Sequence, residues 1–114
     1  MNLEKSVQGE ILVLKICQLE RLDASSCGEL RSSLLETIGE DFKGLVLDLS
    51  SLKHIDSSGL SVFISINKRL QSRRGEVKLC NLSPTVKSMF ELTRLDKVFD
   101  IFEDREQAIE SLNS

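Results

Sequence analysis

The chain has 114 residues, with 15 lysines and arginines against 18 aspartates and glutamates, so its formal net charge is −3, and 40% of its residues are hydrophobic. A chain of this size buries about two thirds of its unfolded surface, which predicts one domain, residues 1–114, with an ordinary hydrophobic core. The acidic balance argues against direct nucleic-acid binding, because such binding needs a basic surface that displaces phosphate counterions.

Three cysteines, Cys17, Cys27 and Cys80, show neither a CxxC spacing nor a histidine cluster nearby. This pattern predicts reduced, buried cysteines of a cytoplasmic protein and argues against a disulfide framework or a metal site. The longest aliphatic run, residues 11–14, is far shorter than the roughly 20 residues of a membrane span, and no apolar core of a signal peptide follows the first residues. We therefore expect a cytoplasmic protein with no membrane insertion and no cofactor.

The first half of the chain predicts a hairpin, a helix and a central strand. A turn at Gly9 precedes the apolar run 11–17, which is typical of a β-hairpin. Asp23 is the predicted N-cap of a helix that continues to Gly39, because apolar residues recur there every three or four positions. The apolar residues of this helix are Ala24, Cys27, Leu30, Leu34 and Ile38. The partly β-branched run 44–49 predicts a central strand that is covered on both faces.

A second helix is predicted to start after residue 59 and to end at Gly75, before a strand at residues 77–80. Arg73 and Arg74 stand at the end of this helix, where cations are favourable, so we interpret this basic pair as a helix cap. The apolar face of the helix comprises Leu60, Phe63, Ile64 and Leu70.

The last part of the chain predicts two more helices around a short strand. Ser83 and Pro84 begin a third helix, with serine as the N-cap and proline at the first helical position. Residues 98–99 are a predicted edge strand, and residues 104–112 a last helix. The order β-β-α-β-α-β-α-β-α predicts an α/β fold, with about four helices on a central mixed sheet of four to five strands and right-handed crossovers between parallel neighbours.

Catalytic patterns are missing from the sequence. A serine hydrolase needs a base within hydrogen-bond reach of the nucleophile and a third group that orients the base, yet His54 is the one histidine and no G-x-S-x-G elbow surrounds Ser57 or Ser58. The chain also lacks a P-loop and a G-x-G-x-x-G motif. We therefore expect a protein that is not an enzyme.

The tetrapeptide Asp56-Ser57-Ser58-Gly59 is the remaining candidate for a site. In structural terms it is a good helix start, because a short polar side chain accepts hydrogen bonds from the first free amides and glycine permits a tight turn. It also follows a strand of an open α/β sheet, at the edge where such folds place their sites, and a helix N-terminus can hold a phosphate. Propensity alone favours the helix cap, and the position of the tetrapeptide at the end of a strand is what keeps a functional site open.

Residues 45–60 resemble the central segment of STAS domains of the anti-sigma factor antagonist (anti-anti-sigma factor) family, in which a strand, a short loop and a D-S-[ST]-G-L motif follow one another. The likeness continues through residues 81–86 and 89–99 and covers nearly the whole chain. The resemblance implies the STAS fold and a phosphorylated serine at Ser57. It also implies a partner-binding surface and phosphosite environment formed by Asp23, Asp56, Ser58, Gly59, Leu60 and Ser61.

The sequence departs from the family pattern at three positions. Glu20 stands where the family commonly has glycine before Leu-Asp, and Ser61 stands where glycine or alanine usually follows Gly-Leu. Both residues are expected near the partner surface. Arg94 occupies a third position at which glycine is common, and we interpret it as a surface variation.

The resemblance implies a binding switch. The unmodified domain would bind an anti-sigma factor with a kinase-like ATP-binding fold and so release a sigma factor; that kinase would phosphorylate Ser57, and a metal-dependent serine phosphatase would remove the phosphate. Two alternatives remain open at this point. The chain could be a STAS subunit of a stress-signalling scaffold or an accessory subunit of a transport complex.

Overall fold

Five strands form the central sheet of the protein, whose computed structural model describes residues 2–113. The described residues form these five strands and two shorter ones, which are, in chain order, β1 (Asn2–Gln8), β2 (Ile11–Cys17), β3 (Arg21–Leu22), β4 (Gly44–Asp48), β5 (His54–Ile55), β6 (Glu76–Cys80) and β7 (Asp100–Phe102). The two shorter strands are β3 and β5. The helices are α1 (Cys27–Ile38), α2 (Ser57–Gln71), α3 (Pro84–Leu92) and α4 (Arg105–Asn113), with a short 3₁₀ helix at Leu95–Lys97. No helix among residues 2–113 is both long and apolar enough to cross a membrane.

The central sheet has the order β1-β2-β4-β6-β7, in which β1 is antiparallel to β2 and all other neighbours are parallel. The predicted mixed sheet is therefore confirmed. The turn of the predicted hairpin contains Gly9, whose φ of 63° favours glycine. β4 lies at the centre, and all 5 of its residues are buried, as its apolar sequence predicts. β3 and β5 form a separate two-stranded parallel sheet that the sequence analysis did not predict.

Alternation along the strands directs apolar side chains to two faces of the sheet. On one face α1, α2 and α3 cover the main core, which includes the aromatic side chains of Phe63, Phe90 and Phe99. The ring centroids of Phe63 and Phe90 are 6.0 Å apart, and those of Phe90 and Phe99 are 5.8 Å apart. On the other face Ala108 and Ile109 of α4 cover a smaller apolar cluster.

The predicted edge strand at residues 98–99 is wrong. Phe99 lies in the main core, 2% exposed, and its N–H donates to the carbonyl of Leu95 at 2.9 Å, so this segment closes the 3₁₀ turn. Strand β7 begins one residue later, where Asp100 pairs with Lys78 of β6. Arg94, at the start of the same turn, has a φ of 64°. This left-handed conformation explains why glycine suits the position, so Arg94 is more than a surface variation.

Two predicted helix caps are also corrected. Helix α1 begins at Cys27 with Ser26 as its N-cap, and Asp23 lies in the turn before it. Arg73 does not cap α2: its Nη1 donates to the carbonyl of Gly39 at 2.6 Å, just after the end of α1. Helix–helix packing, which local sequence rules do not describe, decides that contact. Glycine is required at position 75, just after α2, because an added Cβ would lie 2.7 Å from the carbonyl oxygen of Lys43.

All three cysteines are free thiols, but only Cys80 is buried, whereas Cys17 and Cys27 are half-buried. The prediction of three buried cysteines is thus correct for one of them. Burial, and then the negative charge of Asp48, raise the pKa of the Cys80 thiol to about 12. Burial likewise raises the pKa of Cys17. Neither thiol is activated as a nucleophile.

Candidate functional site

The loop before α1 and the loop before α2 are held together by backbone hydrogen bonds. The carbonyl of Glu20 accepts hydrogen bonds from the N–H groups of Lys53 and His54, at 2.8 and 3.0 Å. The N–H of Asp56 donates to the carbonyl of Leu22 at 3.2 Å. These bonds extend the parallel pairing of β3 with β5 and fix the two loops in one register. Glu20 therefore contributes through its main chain, and its exposed side chain stands at the edge of this region.

Asp23 follows β3 directly and Asp56 follows β5 directly, so the two carboxylates stand at the same ends of two paired strands. The Oδ1 atom of Asp23 accepts hydrogen bonds from the hydroxyl and the N–H of Ser25, at 2.7 and 3.0 Å. The hydrogen bond from the Ser25 hydroxyl, followed by that from its N–H, holds the pKa of Asp23 below its usual value. Asp23 is therefore ionised near neutral pH.

Asp56 is the N-cap of α2, so the tetrapeptide predicted as a helix start does begin the helix, at Ser57 and not after residue 59 as predicted. Its backbone is extended, and its Oδ1 atom accepts a hydrogen bond from the N–H of Gly59 at 3.1 Å. This capping bond places Ser57 at the first position of the helix. Ser57 is exposed, and Ser58 is half-buried. No group among residues 2–113 forms a hydrogen bond with the hydroxyl of Ser57, so this hydroxyl is open to a partner.

Gly59 is required because α2 packs directly on strand β3, which precedes α1. A Cβ at this position would lie 2.6 Å from the carbonyl oxygen of Leu22 and 2.7 Å from the side chain of Ile55. The next residue, Leu60, is 3% exposed and belongs to the main core. Gly59 and Leu60 thus support the serine-bearing turn from beneath, whereas Ser57 presents its hydroxyl to solvent.

Arg31 of α1 is a site residue that the sequence analysis missed. Its Nη2 donates to the hydroxyl oxygen of Ser61 at 3.1 Å, and the Ser61 hydroxyl donates to the carbonyl of Ser58 at 2.6 Å. Ser61 stands where the family usually has glycine or alanine, and its hydroxyl binds Arg31 between α1 and α2. No motif marks Arg31 in the sequence, because the contact depends on the packing of α1 against α2.

The structure brings Asp23, Asp56, Ser57, Ser58 and Ser61 to one end of the molecule. His54 is exposed on β5. Among residues 2–113, no three histidine, cysteine, aspartate or glutamate side chains are grouped so that they could hold a metal ion. An exposed hydroxyl, that of Ser57, directly follows the capping Asp56, and Asp23 stands at the same end of the strand paired with β5.

Residues 2–108 match the STAS domain family. BtrV of Bordetella bronchiseptica, which bears the provisional name of anti-sigma factor antagonist, is 30% identical over 96 residues, 84% of this chain and 83% of that protein. The anti-sigma F factor antagonist of Paenibacillus polymyxa is 27% identical over 113 residues, 98% of this chain and 97% of the relative. The sequence resemblance is therefore confirmed.

Solved structures agree with this match. The anti-sigma factor antagonist SpoIIAA in its unphosphorylated form superposes with a TM-score of 0.78 at 21% identity, covering 98% of this chain and 96% of that chain. The phosphorylated form of SpoIIAA from Bacillus superposes with a TM-score of 0.67 at 22% identity, covering 97% of this chain and 99% of that chain. These superpositions confirm the predicted fold.

Proposed function

This chain belongs to the STAS domain family, and from that premise we propose that it is an anti-sigma factor antagonist switched by phosphorylation of Ser57. The observation that carries the proposal is the exposed hydroxyl of Ser57, held at the first position of α2 by the Asp56 cap. The names of its relatives support an anti-sigma factor as the partner. By binding that factor, the unmodified domain releases a sigma factor for transcription.

The partner in this proposal is an anti-sigma factor with a kinase-like ATP-binding fold. The Oγ atom of Ser57 attacks the γ-phosphorus of ATP, the new O–P bond forms, the bond to the β,γ-bridging oxygen breaks, and ADP leaves. The hydroxyl proton passes to a base of the kinase. A metal-dependent serine phosphatase then hydrolyses the phosphoserine. The domain itself is a substrate and binding protein in the cytoplasm, without catalytic activity of its own.

Charge explains how the modification would release the partner. Phosphorylation adds about −1.5 to −2 charge at pH 7. At a helix N-terminus this charge is favoured by about 0.3 to 1 kcal/mol, so the domain stays folded. In a closed interface, however, the phosphate would be desolvated next to the carboxylates of Asp23 and Asp56. An unpaired buried charge costs about 3 to 5 kcal/mol, which corresponds to a loss of affinity of roughly a hundredfold or more.

Phosphopeptide mapping tests the proposal. The purified chain is incubated with ATP and the purified anti-sigma factor of its own genome, and the tryptic peptide that contains Ser57 and Ser58 is sequenced by mass spectrometry. We expect one phosphate on Ser57 and none on Ser58, because Ser57 is exposed and Ser58 is half-buried. The matched variants Ser57→Ala and Ser58→Ala should abolish and retain the signal, respectively. Phosphate on Ser58 would contradict the proposed site.

A further inference from the structure

Arg31 stands level with Ser61 on two helices that run in the same direction. Both α1 and α2 connect parallel strands of the central sheet and pack on the same face of it. Arg31 lies one turn after Cys27, the first residue of α1, and Ser61 lies one turn after Ser57, the first residue of α2. Because side chains on a helix lean toward its N-terminus, the Arg31 side chain points toward the end at which Ser57 stands.

Ser57 and Ser61 share one face of α2. Residues four positions apart on a helix are neighbours, with Cβ atoms about 5 to 6 Å apart. The guanidinium that donates to the Ser61 hydroxyl at 3.1 Å therefore lies one turn beneath the Ser57 hydroxyl. An arginine can span this separation with its planar fork of donors.

The guanidinium of Arg31 has donor capacity to spare. Its Nε atom is buried and has no hydrogen-bond partner among residues 2–113. Within the same residues, no carboxylate lies within ion-pair distance of Arg31, and its bond to Ser61 is to a neutral oxygen. A buried donor without a partner is unfavourable, and a cation bonded to a neutral oxygen gains when an anion comes within reach.

We propose that Arg31 is the intramolecular counter-cation of phosphorylated Ser57, with Ser61 holding the guanidinium in place before modification. This inference rests on the proposed function only in taking Ser57 as the modified serine. The phosphate receives charge-assisted hydrogen bonds from Arg31. The single positive charge of Arg31 leaves the phosphate together with Asp23 and Asp56 negative, so a partner interface still cannot bury this group without a cation of its own. The guanidinium then turns away from Ser61, so modification changes the contact between α1 and α2 as well as the charge at Ser57.

The pKa of the second ionisation of the phosphate depends on whether a cation lies beside it. An adjacent arginine favours the dianion and lowers its pKa. The chain is produced with phosphoserine incorporated at position 57 during translation, and the phosphate is titrated by ³¹P NMR. Nearby Asp23 and Asp56 raise this pKa, and the cations Arg21 of β3 and Lys53, which directly precedes β5, lower it; His54 of β5 is the remaining titratable side chain of the two strands. These groups are unchanged in every variant compared, so the difference isolates Arg31.

We expect the phosphate pKa of the otherwise unaltered chain to lie about 0.5 units or more below that of Arg31→Gln. Arg69→Gln is the matched control, because it removes the same charge from the exposed last turn of α2 and should leave the pKa unchanged. Equal pKa values with and without Arg31 would overturn the proposal. Because the phosphoserine is built in, a failure of any kinase to modify Ser57 counts against the proposed function alone.

A second readout needs no variant. The Nε–H resonance of Arg31 is followed by ¹H–¹⁵N NMR in the unmodified chain and in the chain with phosphoserine 57. We expect it to move downfield on modification, whereas the resonance of Arg69 stays in place. An unmoved Arg31 resonance would contradict the proposal even if Arg31→Gln failed to fold.

Discussion

Two arginines donate from a helix to a neighbouring element at nearly the same distance, but to chemically different acceptors. Arg105 of α4 donates to the carboxylate of Asp48 at 3.0 Å, and Asp48 is 4% exposed at the end of the central strand. Arg31 of α1 donates to the neutral hydroxyl of Ser61 at 3.1 Å. One cation is paired with a buried anion and helps to hold α4 on the sheet. The other has no carboxylate within ion-pair distance among residues 2–113, and its acceptor Ser61 lies one helical turn from the exposed Ser57.

Position in the fold determines whether an arginine stabilises the protein or remains available to an added anion. The carboxylate of Asp48 also accepts a hydrogen bond from the N–H of Ser50 at 3.0 Å, so its two oxygens are both occupied. Such a fully bonded pair stabilises the resting protein. At the serine-bearing end, backbone hydrogen bonds and the Asp56 cap hold the loops in place, and Arg31 is the cation that we propose to pair with phosphorylated Ser57.

The largest loss of stability is expected for Asp48→Ala. This change removes the buried carboxylate and leaves the guanidinium of Arg105 and the N–H of Ser50 without their partner. We expect the free energy of unfolding to fall by about 2 to 4 kcal/mol. Urea unfolding followed by circular dichroism measures it. The control Arg31→Gln removes an arginine that has no carboxylate partner in the described part of the chain, residues 2–113. A comparable loss of stability in that variant would contradict the difference between the two arginines.

The pair at Asp48 also predicts a pH dependence. Burial disfavours the charged form of Asp48, but hydrogen bonds from Ser50 and the Arg105 guanidinium outweigh it and keep the pKa of this carboxyl below its usual value. The stabilisation is therefore present above the unfolded-state pKa of about 3.9 and is lost as the pH falls through the folded-state pKa. The stability difference between the unaltered chain and Asp48→Asn should shrink below about pH 4 in acid unfolding curves. A constant difference down to pH 2 would contradict this.

A smaller loss is expected for Gly59→Ala, which tests how α2 is seated. The new methyl group would lie 2.6 Å from the carbonyl oxygen of Leu22, so the start of α2 must move away from the loop before α1. We expect the free energy of unfolding to decrease by about 1 to 3 kcal/mol. Gly28→Ala is the control, because an added Cβ there meets nothing within 4 Å. Equal effects of the two substitutions would show that the close approach is unimportant.

The smallest of these stability effects is expected for Asp56→Ala. Loss of an N-cap that accepts one backbone hydrogen bond costs about 0.5 to 2 kcal/mol. Thermal unfolding measures the loss, and Asp56→Ser should recover most of it because serine is also a good N-cap. If Asp56→Ala were as stable as the unaltered chain, the carboxylate would contribute nothing as a cap and would serve recognition alone.

Local rules predicted the parts of this fold that depend on neighbours in sequence. The caps at Asp56 and Ser83, the central strand β4 and the last helix follow from short-range patterns. The strands β3 and β5 were not predicted, because two residues carry no periodicity and each strand is defined only by the other.

The same reason explains the misassigned and missing residues of the site. Asp23 has the residue type of an N-cap, but the turn held by Ser25 delays the start of α1. Arg31 and Arg73 look like ordinary surface cations in the sequence, and their acceptors lie about 30 residues away along the chain. The predicted serine came from the family resemblance, since propensity alone described a helix cap.

The proposed switch at Ser57 is tested by the affinity of the chain for the anti-sigma factor, measured by isothermal titration calorimetry. The chain with serine, alanine, aspartate or phosphoserine at position 57 is titrated into the same purified factor, after circular dichroism has verified that each variant is folded. We expect Ser57→Ala to bind within a fewfold of the unaltered chain and Ser57→Asp to bind at least tenfold more weakly. Phosphoserine should weaken binding by roughly a hundredfold or more. Equal affinity of all four forms would contradict the proposed switch.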